Sequence, residues 1–592
     1  MRITELALTN FKSFKQTQII QFAPVTLLFG PNSVGKSTVL MALAYVQQIL
    51  QKGQCNPQRL DMLGGKFVGG FKNLIHGRDL NSSITIAVSF DKGNYVGATY
   101  NKLLDLLSYE KDFFHNSPSE FQTAKIEFEI SWSKALKTAY VSNYELWLDD
   151  EFAAAMSSDS GLKQPIIENI NYLHPLLLQH NHEERLEDCF DDGFMMHEAF
   201  EEEVLFLKGY EKPTLREITK GADWPPEESD SWPDFNKTSF VSQLHELLTD
   251  SRLTASNQED NPLLDNGKNY YFHVPLSYQG NGAGALPTLG KRVETSLSID
   301  DGAYNNMIHE ILSDLVTAPL DDLLAFLLDS LSIGPLRNIP DATYQPNPYP
   351  QQADWHNGMA AWDQLAEADI SILRDIDSWI SDEDKLALGY GIALKVKKQF
   401  AEFKKISAIE LVEYVERQLS GMIAQSAIDG IGQVEFDEQN TTFEYALWDT
   451  RNHLDVMPSD IGVGVSQLMP LVVAALSRDN GLVSIEQPEL HVHPRVQVAT
   501  GDLFTQLKSK PNFLIETHSE HIILRLLRRI RETSENELPE GFCEVKADDI
   551  SVVCFQTSDE GITTKRLRIT DDGDFEDRWP GGFFDERDDE LF

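Results

Sequence analysis

Apolar and polar positions alternate from the start of the chain: Ile3, Leu6 and Leu8 lead to Ile19-Ile20-Gln21-Phe22 and then to the unbroken run Val25-Thr26-Leu27-Leu28-Phe29. The pattern predicts three short strands, the third apolar throughout because both of its faces are covered. Gly30 ends it, and residues 37–48 have helical composition, so the local order is strand, loop, helix. Period-two alternation rich in β-branched and aromatic residues returns over residues 83–90, 125–132 and 140–148, predicting a small antiparallel sheet. Between residues 156 and 320 the character changes to helical stretches, such as 182–208, broken by polar loops such as 222–236. A helix is expected over residues 408–424. Two more buried strands are expected at Val483-Ser484-Ile485-Glu486 and Phe513-Leu514-Ile515-Glu516, each followed by a helix. No fixed-period repeat and no sustained heptad pattern occur, so long coiled-coil arms are not expected.

The loop after the first buried strand reads Gly30-Pro31-Asn32-Ser33-Val34-Gly35-Lys36-Ser37-Thr38, which satisfies GxxxxGK[ST] between a strand and a helix. Glycines there let backbone N–H groups turn onto phosphates, and the helix N-terminus adds its partial positive charge. Lys36 reaches the outer phosphates, and Ser37 can ligate Mg²⁺. Such a loop needs an acid at another strand tip, and Glu486 ends the apolar run Leu482-Val483-Ser484-Ile485. The next position, which commonly holds the carboxylate that polarises the attacking water, is Gln487; an amide orients water but accepts no proton, so hydrolysis is expected to be slow. Glu489 either takes over that role or caps the following turn. His518, in Thr517-His518-Ser519 after the run Phe513 to Glu516, falls where a second strand tip meets the γ-phosphate. Ile461-Gly462-Val463-Gly464-Val465-Ser466-Gln467 opens an apolar helical stretch, and its N–H groups and the Ser466 hydroxyl are expected to face outward as an anion-binding end.

Composition constrains the partners. The chain carries 93 Asp+Glu against 50 Lys+Arg, a formal net charge of −43, which opposes broad attraction to nucleic acid or anionic lipid. Any DNA or RNA contact is therefore confined to basic islands, of which two stand out. Lys395, Lys397, Lys398, Lys404 and Lys405 form one; Arg525, Arg528, Arg529 and Arg531 lie along a helix after His518. No apolar run approaches the roughly 20 residues that span a bilayer, and no leader precedes Phe11, so a cytoplasmic location without membrane is expected. Four scattered cysteines suggest reduced, packed thiols rather than disulfides or zinc. The run Asp571-Asp572-Gly573-Asp574 reads as part of a solvated acidic tail, and His491-Val492-His493 as packing or dimer contact rather than metal ligation.

In this order, these elements resemble the ABC-type ATPase heads of the SMC/RecF/OLD class of AAA-annotated ATPases. Asn10-Phe11-Lys12-Ser13-Phe14 is similar to that class's opening segment, Gly30 to Thr38 to its Walker A, and Gly462 to Gln467 to a degenerate signature. Leu482 to Glu486 is similar to Walker B, Glu489 to Pro494 to the D-loop region, and His518 to the switch histidine. Ile485 to Pro494, Glu516 to Ile530 and Trp579 to Glu586 further resemble a defence-island and prophage subgroup. The resemblance implies that Asn32, Ser33, Val34, Gly35, Lys36, Ser37 and Thr38 hold ATP, with Mg²⁺ on Ser37 and Glu486. Glu486, Gln487, Glu489 and His518 would be the catalytic set, and Ser466 would contact the nucleotide of the opposite protomer. It also implies a homodimer closed head-to-tail around two ATPs, possible assembly into a higher oligomer, and a separate effector protein in anti-phage defence. A non-hydrolysing scaffold is the alternative. The usual Q-loop glutamine is not evident; Gly70 to Gly77 occupies that region. OLD-type relatives carry a TOPRIM nuclease after the head, but only residues 519–592 follow His518, so none is expected here.

The expected fold class is α/β: an ABC-type P-loop ATPase head with an antiparallel β lobe and a mainly helical insertion. Residues 1–155 would form the N-terminal lobe with Walker A, 156–330 the insertion, and 331–592 the C-terminal lobe with signature, Walker B, switch histidine and acidic tail.

Overall fold

A computed structural model describes residues 1–31, 34–100, 118–160, 164–171, 174, 176, 271–296, 302–341, 343–398, 401–407, 441–507, 511–558 and 561–579. The chain divides into two compact units. The first comprises Met1–Thr17, Tyr45–Gln58 and Gly69–Phe326, the second Gln18–Ala44, Arg59–Val68 and Leu327–Phe592.

In the first unit, antiparallel strands pair in the order Tyr271–Ser277, Ile166–Asn171, Glu151–Ser157, Thr138–Leu148, Thr123–Ser133, Ile84–Asp91, Arg2–Thr9. The register places Ile86 opposite Phe128 and Val88 opposite Ile126, all buried, so period-two alternation sends one face of each strand inward. The Asn10-to-Phe14 segment is a turn clamped from the opposite side. Phe11 and Phe14 are fully buried, Lys12 N donates to Leu74 O at 2.6 Å, and His76 N donates to Asn10 O at 2.9 Å. The Gly70-to-Gly77 segment thus serves as packing for the opening turn.

The segment 156–330, expected to be mainly helical, contains among its described residues two strands, Ile166–Asn171 and Tyr271–Ser277, besides the helices Gly302–Val316 and Ala318–Asp329. Ile166 pairs with Ser277, so the sheet continues across a long sequence separation. The boundary expected after residue 155 falls inside the strand Glu151–Ser157, whose two edges are both paired. The helices expected over 182–208 and 408–424 lie outside the described residues.

The second unit is built on a sheet ordered Leu331–Ile333, Leu482–Glu486, Asn512–Glu516, Val25–Phe29, Ile550–Ser558, Gly561–Leu567; the first five are parallel and the last is antiparallel. Val25–Phe29 and Leu482–Glu486 are buried along their whole lengths, as continuous apolar runs require in a parallel sheet covered on both faces. Contrary to the contiguous division expected from sequence, the P-loop strand belongs with the C-terminal half. Trp355, Trp362, Leu471, Leu503 and Ile523 fill the core around the sheet. Each of the fully buried leucine and isoleucine side chains contributes about 1.5–3 kcal/mol. A second, antiparallel sheet runs Ala401–Ser407, Tyr390–Lys398, Thr441–Asp449, Leu454–Val456.

The chain after the last strand is not simply solvated. Trp579 meets the Phe29 ring edge-on at 5.5 Å, and Asp574 accepts from Arg531 at 2.9 Å. Cys55 and Cys554 are buried, and burial pushes both thiols up to about 12, whereas Cys543 is exposed rather than packed. Cys189 lies outside the described residues. Among the described residues no helix is long and apolar enough to cross a membrane.

Candidate functional site

The strand Val25–Phe29 delivers the chain to Gly30, whose φ of +143° and whose missing Cβ, which would lie 2.7 Å from Phe555 O, admit only glycine. The helix Lys36–Lys52 begins six residues later. Lys36 is almost fully buried. Its Nζ donates to Gly30 O at 2.8 Å and Pro31 O at 2.9 Å and lies 3.8 Å from Glu516 Oε1. Burial lowers the ammonium's pKa, with Glu516 and Glu489 pulling it back. Ser37 Oγ donates to Glu516 Oε2 at 2.7 Å and stands 3.5 Å from Glu486 Oε2. Val34 and Thr38 are buried, with Thr38 N donating to Gly35 O at 3.0 Å. Asn32 and Ser33 lie outside the described residues.

Glu486 and Glu516 end adjacent parallel strands and are register partners, so their carboxylates share one end of the sheet. Burial raises the Glu486 pKa; Lys66 opposes this and Glu516 adds to it. Glu486 Oε1 is buried without a hydrogen bond, and so is His518 Nε2. Burial lowers the His518 pKa, and Lys36 lowers it further, keeping the imidazole neutral at pH 7.

The turn between these tips is pinned. Gln487 adopts φ +50°, a left-handed conformation costly for a residue with a side chain, and its N–H donates to Glu516 O at 2.7 Å. Both Glu489 oxygens are engaged: Oε2 accepts from Thr517 Oγ1 at 2.7 Å and Oε1 from His518 N at 2.8 Å. Glu489 therefore latches the turn to the His518 segment. His493 caps the helix Pro494–Thr505, accepting at Nδ1 from Arg495 N at 3.2 Å.

Two expectations need correction, and a third lies mostly outside the described side chains. Ser466 does not face outward: it is fully buried, and its hydroxyl donates to Gly462 O and Val463 O at 3.2 Å, the local carbonyls that a serine in the first helical turn readily finds. The exposed residues at that helix start are Gly462 and Val463, while Gly464 packs so closely that a Cβ would lie 2.5 Å from His491 O. The arginine island is not a free basic face either. Arg525 NH2 lies 2.7 Å and Arg529 Nε 2.8 Å from the buried Asp502 carboxylate, Arg528 pairs with Glu532 at 2.6 Å, and Arg531 pairs with Asp574. Finally, the lysine island is described only along its backbone, in strands where Lys395 pairs with Lys405 on one side and with Glu444 on the other.

Two residues of the site escaped the sequence reading. Glu516 carried a signal, since its strand, like that of Glu486, is an apolar run ending in an acid. Arg337 carried almost none beyond following Gly334-Pro335. It is buried, and its NH2 donates to Glu486 O at 2.7 Å, its NH1 to Gln467 O at 3.2 Å. Gln467 Nε2 donates to Arg337 O at 2.7 Å, so one guanidinium joins the helix Val463–Leu476 to the Glu486 strand. Burial depresses the Arg337 pKa to about 10, and Glu489 and Glu486 oppose the shift.

A nucleotide with Mg²⁺ fits this donor set. Lys36 and the helix N-terminus suit phosphates, Ser37 and Glu486 suit a hard cation, and the orphaned Glu486 Oε1 and His518 Nε2 are buried polar atoms for which a ligand supplies partners. Among the described residues no group of three or more His, Cys, Asp or Glu is placed to hold a metal ion.

A P-loop on a parallel α/β sheet, with acids and a histidine at neighbouring strand tips, defines a nucleotide-binding ATPase head. Residues 1–265 match the AAA_15 family, described as an AAA ATPase domain, and over that stretch the chain has the character of such a domain. No curated protein matches it. Among solved structures, a similar one is an SMC head bound to the C-terminal winged-helix domain of ScpA; it is 10% identical, covers 96% of this chain and 98% of the other, and has a TM-score of 0.34. The SMC head domain from Thermotoga maritima is 9% identical, with 96% and 100% covered and a TM-score of 0.32. An SMC head from Pyrococcus furiosus with the C-terminal domain of ScpA is also 9% identical, with 96% of each chain covered and a TM-score of 0.32. Likenesses this distant add nothing to what the site itself supports.

Proposed function

We propose that the chain binds ATP with Mg²⁺, hydrolyses it slowly and closes as a head-to-tail homodimer around two nucleotides, a switch that reports nucleotide state to a separate effector protein. The observation that carries this reading is the convergence of Lys36, Ser37, Glu486 and His518 at one end of the parallel sheet. Lys36 would exchange two neutral carbonyls for phosphate oxygens, a stronger charge-assisted bond. Ser37 and Glu486 would hold Mg²⁺, which neutralises phosphate charge. The neutral His518 would donate its Nε2–H to the outermost phosphate. Gln487 can orient water without accepting its proton, and Glu489 is committed to Thr517 and His518, so turnover is slow.

The exposed start of the helix Val463–Leu476 supports head-to-tail closure through backbone N–H groups rather than the Ser466 hydroxyl. Nucleic-acid contact, if part of the switch, belongs to Lys395, Lys397, Lys398, Lys404 and Lys405. The anti-phage setting rests on the family resemblance alone. With Glu489 engaged by Thr517 and His518 and Glu486 assigned to Mg²⁺, a second reading is also supported, a nucleotide-dependent scaffold that does not turn over.

Phosphate release with ATP and Mg²⁺, with and without DNA or RNA, separates the two. Slow release abolished by Lys36→Ala supports the switch; bound ATP without turnover supports the scaffold; no ATP binding overturns both.

A further inference from the structure

We propose that Glu516 is a second acidic residue positioning the divalent cation, acting with Glu486 on either side of Ser37; the inference rests on the nucleotide-binding reading above. The two carboxylates end neighbouring parallel strands in direct register, which brings their Cα atoms within about 5 Å. Like charges so placed repel unless something between them answers both.

The protein's own groups supply only part of that answer: Lys66 acts on Glu486 through its charge, against the burial and the Glu516 carboxylate that raise its pKa. Ser37 has one hydroxyl proton and gives it to Glu516 at 2.7 Å; its 3.5 Å separation from Glu486 is at the limit of hydrogen bonding. Lys36 lies 3.8 Å from Glu516, too far for a hydrogen bond, and gives two of its three N–H donors to Gly30 O and Pro31 O. Arg337 is nearby but donates to the backbone carbonyls of Glu486 and Gln487, not to a carboxylate. Glu486, only 7% exposed, is left with Oε1 unpartnered. A buried carboxylate oxygen without a donor is costly, and a hard divalent cation is the ligand that satisfies two carboxylates and a serine oxygen together with phosphates. The competing reading makes Glu516 a structural acceptor for Ser37, a role that glutamine fills equally well.

The test uses the full chain, a non-hydrolysable ATP analogue, and Mn²⁺ as a paramagnetic probe, comparing wild type with Glu516→Gln. Mn²⁺ affinity in the presence of the analogue is expected to fall about 10–100-fold in the variant. Binding of the analogue without metal should be equal or tighter, because one negative charge fewer faces the phosphates. The melting temperature of the ligand-free variant should not drop, since glutamine retains the bond from Ser37. Mn²⁺ affinity unchanged in the variant while wild type binds normally overturns the Glu516 role alone; a wild type that binds no analogue overturns the nucleotide reading with it. Should Glu516→Gln fail to fold, Glu516→Asp keeps the charge on a shorter arm. It is expected to weaken Mn²⁺ binding to a smaller degree, and undiminished binding there also overturns the proposal.

Discussion

Two buried clusters of the second unit both set carboxylates against cationic groups and end in opposite states. Around Asp502, between the helices Pro494–Thr505 and Glu520–Ser534, each charge meets its opposite. Arg529 grips the carboxylate through Nε at 2.8 Å and NH2 at 3.1 Å, Arg525 adds 2.7 Å, and Glu532 takes Arg529 NH1 at 2.6 Å. Around Ser37, two carboxylates face one hydroxyl, and Glu486 Oε1 and His518 Nε2 are buried without hydrogen bonds. Buried polar groups are normally satisfied, so the contrast separates charge that holds a fold from charge arranged for a ligand.

The largest expected effect tests the satisfied half. Asp502→Ala strips the buried Arg529 of its two-pronged partner, leaving it Glu532 alone, and should cost about 3 kcal/mol in urea unfolding. If the surviving folded fraction lost ATP binding while stability hardly changed, the division between the clusters would collapse. Next comes His356, whose imidazole burial and Lys66 depress from 6.5 to about 4. It is neutral in the fold and takes up a proton on unfolding, so the stability it confers is complete above pH 6.5 and drains away as pH falls toward about 4. With partial solvent screening that is worth about 2 kcal/mol. His356→Asn should flatten this part of the acid limb in melts between pH 7 and 4.5, and parallel limbs would exclude the role. Gln487→Glu, which suits the same turn, should raise ATP turnover by about tenfold or more if that position faces the water; an unchanged or lower rate removes the assignment. Smallest of all, Arg528→Ala removes an exposed i,i+4 pair and should shift stability by less than about 0.5 kcal/mol. A larger loss would show that the network's rim matters as much as its buried centre.

Legibility in the sequence followed whether a feature is local. The P-loop, the apolar runs of Val25–Phe29 and Leu482–Glu486, and the acid and histidine at the strand tips are short-range patterns, and each takes the expected element. Sheet order is not local: nothing in Val25–Phe29 announces neighbours from residues 512 and 550. The arginine island misled for the same reason, because the sequence displays the cations together and their partner Asp502 more than twenty residues away. Ser466 shows the reverse failure, in which a local competitor, the carbonyl of Gly462 one turn earlier, captured a hydroxyl expected to face outward. Arg337 bonds mainly to backbone carbonyls, and backbone acceptors leave no trace in residue types.

The central claim, that the unsatisfied cluster awaits a nucleotide, is tested most directly by calorimetric titration of ATP and Mg²⁺ into wild type and Lys36→Ala. The account predicts saturable binding to wild type, weakened by about 30–100-fold or more in Lys36→Ala, the equivalent of one or more charge-assisted bonds, with unchanged folding. Equal affinity in the two proteins, or no binding to either, would contradict it.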